Sequence, residues 1–127
     1  TSITGPLAPG QYFVRVRAVA GGASGAATPD VAIAVGGPPP GPPTALAATS
    51  GPGGSVLVTW SPPDTGTVTG YVVQVGYGAG QTAHRFAVTA PSIASAGVPA
   101  GTYVLRVVAM NGTAAGPPST EVTLVVP

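Results

Sequence analysis

Few side chains in this chain are equipped for chemistry. The carboxylates are Asp30, Asp64 and Glu121, the single imidazole is His84, and there is no cysteine. General acid–base catalysis needs titratable groups held within reach of one substrate, and glycoside cleavage needs two carboxylates flanking one bond. Asp64 follows Trp60 in the turn opened by Ser61-Pro62-Pro63, while Asp30 and Glu121 each precede a separate apolar run, so spacing pairs none of them. His84 has no nameable partner for a triad or a metal set and reads as a solvated strand residue. The run Gly76-Tyr77-Gly78-Ala79-Gly80 has the glycines of a phosphate loop. That chemistry needs a helix N-terminus behind them, and no helical period follows. It reads as a hairpin turn. The expectation is a protein that is not an enzyme, with no cofactor and no metal.

One modification motif is present. Asn111-Gly112-Thr113 is an N-glycosylation sequon and contains the chain's only asparagine. The same Asn-Gly pair is favoured in turns that need positive φ. The turn reading is preferred here, with Asn111 kept as the candidate glycan acceptor.

The charge inventory excludes further classes. Arg15, Arg17, Arg85 and Arg106 stand on separate segments, there is no lysine, and the net charge is +1. That offers no basic patch for nucleic acid. Pro and Gly interrupt every apolar stretch before it reaches the ~18 residues of a membrane span, so no membrane insertion is expected. With 44% hydrophobic residues the chain can build a buried core and is not of the disordered class. It begins without an initiator methionine or a signal peptide, which reads as a mature, trimmed or partial chain.

The elements that would position these residues are strands. Alternating apolar runs at 56–60, 71–75, 83–88, 92–95, 103–110 and 121–126, with a weaker opening run at 45–49, predict seven strands and no helix. Period-2 alternation puts Val56, Val58 and Trp60 on one inward face. The same rule gives Tyr71, Val73 and Val75, then Tyr103, Leu105, Val107 and Ala109, then Val122, Leu124 and Val126. Trp60, Tyr71 and Tyr103 are the large members of this predicted core.

The chain also repeats itself. Gln11-Tyr12-Phe13-Val14-Arg15-Val16-Arg17-Ala18-Val19 returns as Thr102-Tyr103-Val104-Leu105-Arg106-Val107-Val108-Ala109-Met110, and Tyr12 and Tyr103 stand 91 residues apart. Residues 1–35 therefore align with only the last strands of 44–127, at 2–4, 11–19 and 31–35. Their inward set, Tyr12, Val14, Val16, Val31, Ile33 and Val35, has no opposing layer of its own. Between the two units, Gly36-Gly37-Pro38-Pro39-Pro40-Gly41-Pro42-Pro43 reads as a stiff extended spacer.

These motifs together resemble the fibronectin type III family. Trp60 before Pro62-Pro63 is similar to its strand-B tryptophan, and Gly70-Tyr71-Val72-Val73 to its strand-C opening. Val98-Pro99-Ala100-Gly101-Thr102-Tyr103 is similar to its approach to the tyrosine corner, with one residue fewer before the tyrosine than in many members. Leu7-Ala8-Pro9-Gly10-Gln11-Tyr12 does the same in the first unit. The resemblance implies an immunoglobulin-like, seven-stranded β-sandwich over 44–127, the C-terminal strands of an incomplete second one over 1–35, and a linker at 36–43. The family's Arg-Gly-Asp ligand motif is absent from the loop at 111–116.

In that fold the strands at 71–75, 103–110 and 121–126 share a sheet, so Val72, Val104, Val108 and Val125 are expected to point outward around Arg106. They form a candidate assembly face. The leading functional expectation is a structural or adhesive module of an extracellular or cell-surface protein or filament, partnered by other copies or adjacent domains of the same polypeptide. The alternatives are a spacer beside a secreted polysaccharide-degrading enzyme and a cell-surface recognition domain. The loops are poor in the Tyr, Trp and Arg that anchor protein hot spots.

Overall fold

The computed structural model describes residues 2–8 and 10–127 and is all-β. Pro9, part of the first tyrosine-corner motif, lies outside the described residues.

The second unit is a sandwich. Its smaller sheet has the order β5-β6-β9, from Thr44–Gly51, Ser55–Ser61 and Ser92–Ser95. Its larger sheet runs β11-β10-β7-β8, from Ala114–Pro118, Gly101–Asn111, Gly70–Gly76 and His84–Val88, and β12 (Val122–Val126) also pairs with β10. The alternation works as expected. Val58, Trp60, Tyr71, Val73, Leu105, Val107, Ala109, Leu124 and Val126 form one buried cluster, with Val56, Val75 and Tyr103 packed against it. Trp60 meets Tyr71 edge-on, ring centres 5.4 Å apart at 72°, an arrangement favoured by the ring quadrupoles. The indole Nε1 of Trp60 is buried with no hydrogen-bond partner. At the join of the sheets the hydroxyl of Ser50, near the end of β5, donates to the carbonyl of Val125 in β12 at 2.7 Å.

The strand expected at 121–126 is β12, but a further strand, β11, which the sequence pattern does not announce, lies along β10 before it, the two separated at Ser119–Glu121. Pro117 and Pro118 carry no N–H for the ladder. Ser119 then takes over: its hydroxyl accepts from Val107 N at 2.9 Å, and its own N–H donates to Val107 O at 2.8 Å.

The first unit repeats this hairpin in detail. β1 (Gly10–Val14) pairs with β4 (Val31–Val35), and β2 (Arg17–Ala20) with β3 (Ala23–Ala27). The register slip between Arg17 and Val19 stands where β10 slips between Val108 and Met110. Thr28 replaces Ser119, accepting from Val16 N at 3.0 Å and donating its own N–H to Val16 O at 2.9 Å. Both tyrosine corners close: Tyr12 donates to Ala8 O at 2.7 Å and Tyr103 to Pro99 O at 2.9 Å.

Two expectations for this unit need correction. Residues 2–4 form no strand, and the strand expected at 11–19 breaks after Val14. The second unit explains the break. There β10 stays continuous because β7 pairs with it from Val104 to Met110, and β1 and β2 have no such neighbour among the described residues.

Candidate functional site

The titratable residues do not converge. Among the described residues no group of His, Cys, Asp or Glu is placed to hold a metal. Asp30 and Asp64 are exposed in loops. Glu121 lies on the outer face of the large sheet, where its carboxylate accepts from Gly80 N at 2.8 Å and faces Arg106 at 3.8 Å. Arg106 donates onward to Gln74 at 2.6 Å and to Thr82 at 3.3 Å. This set ties the β7–β8 turn to β10. The polar atoms are satisfied by one another, an arrangement suited to holding a loop rather than to reaction. Burial raises the Tyr71 phenol above its ordinary value of 10.0, because the charged form is disfavoured away from water.

His84 sits at the mouth of an apolar cleft of about 520 Å³ between the free edges of β8 and β9. Val56, Val75, Phe86 and Ile93 line it. The Tyr77 hydroxyl lies 3.3 Å from His84 Nε2, and the two rings meet at 84°.

The candidate assembly face is only partly open. Val72 lies opposite Val108, and Arg106 opposite Gln74. Val104 and Val72 are half-buried and Val125 is exposed. Val108, expected to point into solvent, is only 7% exposed; it is flanked by Val72 on one side and Pro118 on the other. The most exposed apolar surface lies elsewhere, on the hairpin of the first unit: Phe13, Val16, Val19 and Val31 are all open to solvent. The 91-residue alignment was the sequence signal for it.

Asn111 is 9% exposed, and its side-chain amide donates to Pro38 O at 3.1 Å. The nitrogen that a glycan would occupy thus faces the linker. Of the residues around it, Gly36, Pro38 and Thr69 escaped sequence reasoning because the linker looked free. Their one signal was the density of glycine on both sides of the contact.

Residues 41–125 match the sequence profile described as fibronectin type III domain. The chain belongs to the fibronectin type III family. Solved structures carry the same fold. The FN1–FN3 domains of chicken CNTN1 are similar at TM-score 0.62 and 22% identity, over 93% of this chain and 42% of that one. Domains d3–d4 of the rat CD45 extracellular region are similar at TM-score 0.57 and 20% identity, over 97% of this chain and 67% of that one. An Fn3-like protein from Clostridium thermocellum is similar at TM-score 0.60 and 24% identity, over 69% of this chain and 94% of that one. This chain spans less than half of the chicken structure, and no curated protein matches it by sequence. A fibronectin type III domain is in general a non-catalytic building block of modular proteins. Among the described residues no helix is long and apolar enough to cross a membrane.

Proposed function

We propose that this chain is a non-catalytic structural repeat of an extracellular or cell-surface protein or filament, a semi-rigid unit that associates with its own kind. Contrasting exposures at equivalent positions of its two hairpins support this. Leu105, Val107 and Leu124 are 4%, 0% and 5% exposed under the small sheet, whereas their counterparts Val14, Val16 and Ile33 are 42%, 64% and 37% exposed. Two hairpins with the same corner, bulge and hydroxyl contact differ in having, or lacking, an opposing layer. Covering each large apolar side chain contributes roughly 1.5–3 kcal/mol. The natural cover is the layer that covers its twin, the first strands of a like module, and residues 1–35 are the closing strands of that module.

The test sets the denatured mass of native material against its folded size. A denatured mass well above 12.1 kDa would put the covering strands on the same polypeptide. A mass near that value with a large folded assembly would put them on another copy. Material that is monomeric when folded and 12.1 kDa when denatured refutes the proposal. Side-to-side association is checked separately with Val104→Lys and Val125→Lys on the outer face. Light scattering should show smaller particles with thermal stability retained, and unchanged particle size excludes that face.

A further inference from the structure

The segment at 36–43 does not behave as a spacer. Pro40 is fully buried and Pro43 is buried, and Gly41 N donates to Thr65 O at 3.0 Å. A β-carbon at Gly66 would stand 2.7 Å from Pro40 Cα, and one at Gly116 would strike Pro40 O. These contacts seat the C-terminal half of the segment between the β6–β7 loop and β11. The N-terminal half meets a different element. Gly112, at φ +60, passes so close to Gly36 that a β-carbon on it would lie 2.7 Å from Gly36 Cα, and one on Gly36 would strike Asn111 O. Real β-carbons are not found at such separations, so backbone lies directly on backbone.

Asn111 supplies the directional contact there, through the 3.1 Å bond to Pro38 O. Its turn is itself held fast. Thr69 N donates to Met110 O at 2.8 Å, and the Thr69 hydroxyl accepts from Gly112 N at 2.8 Å. A nearly buried amide satisfied by a carbonyl is costly to strip of that partner. Gly36, Pro38 and the Asn111–Gly112 turn come from distant parts of the chain, so their contacts fix the linker relative to the sandwich.

We infer that Asn111 is a latch that docks residues 36–38 on the β10–β11 turn, making the junction between the two units a fixed joint. This deepens the proposal of a semi-rigid repeat by naming the residue that sets the stiffness. The repeat shows a further consequence. The position equivalent to Asn111 in the first unit is Ala20, with Gly21 and Gly22 after it. Ala20 has no side-chain donor, so the turn of the first unit carries no such latch.

Nitrogen-15 relaxation on the full chain tests the latch. Order parameters near 0.85 mark rigid backbone and values below 0.6 flexible backbone. The native chain should give rigid values at Gly36, Gly37 and Gly41. Asn111→Asp, whose carboxylate cannot donate, should drop Gly36 and Gly37 below 0.6 and leave Gly41, held by Thr65, unchanged. Should that variant lose its fold, Gly36→Ala loosens the same contact from outside the sandwich, with the same expected result. Flexible values at Gly36 and Gly37 in the native chain overturn the inference. So do rigid values in a folded variant. Because the measurement reads the linker within one chain, it succeeds or fails independently of whether chains associate.

Discussion

Val107 and Val16 occupy equivalent positions in two hairpins of matching register, and truncating each to alanine should give very different costs. Val107 lies in the centre of the core with no solvent exposure. Removing its two methyl groups forfeits their transfer free energy, about 0.8 kcal/mol per carbon, and leaves a cavity between β10 and the small sheet. Together these come to about 2–3 kcal/mol. Val16 is already mostly in water, so the same truncation should cost under about 0.5 kcal/mol. Urea unfolding followed by the fluorescence of Trp60, the only tryptophan, reads the sandwich directly. With slopes of about 1–2 kcal/mol per molar urea, Val107→Ala should lower the midpoint by roughly 1–3 M at unchanged slope. Val16→Ala should leave it in place at low protein concentration. A large Val16→Ala loss at concentrations where the chain is monomeric would refute the reasoning, because it would mean that the first hairpin is already covered within a single chain.

The hydroxyl contacts divide in the same way. Ser119→Ala strands the buried N–H of Val107 and should cost about 1–3 kcal/mol, while Thr28→Ala at the exposed twin should cost little; denaturant midpoints compare the two. Tyr71 sets a limit at alkaline pH. Its phenol is raised in the folded state, so stability is fully present below the unfolded value of 10.0 and declines as pH climbs from there through the folded value. Tyr71→Phe should remove this part of the alkaline loss in thermal melts between neutral pH and about pH 11, and an unchanged alkaline slope counts against it.

The sandwich was legible because its core alternates cleanly: Val56, Val58 and Trp60 face inward with no polar interruption, and Tyr103, Leu105, Val107 and Ala109 do the same opposite them. The hairpin of the first unit was legible through repetition. Three things were not. Val108 obeys the alternation, yet its neighbours Val72 and Pro118 cover it, and lateral cover does not show in a one-dimensional period. The break between β11 and β12 depends on a serine hydroxyl replacing a ladder bond, and serine is common in loops of every kind. The seated linker has the composition of a free spacer. Proline and glycine suit an extended chain in solvent, and they equally suit a chain pressed against another backbone, where only small or preformed residues fit.

The contact between Ser50 and Val125 bears on how the unit would carry tension. A pull along the polypeptide enters β5 at Thr44 and leaves β12 at Val126, beside the far end of β5. The load on β5 is borne by its ladder with β6, which runs from Thr44 to Gly51, and the Ser50 contact ties the far end of β5 to β12. Resistance to forced unfolding is set by the unfolding rate rather than by equilibrium stability. A module of modest thermodynamic stability can therefore still be a stiff link in a stretched chain.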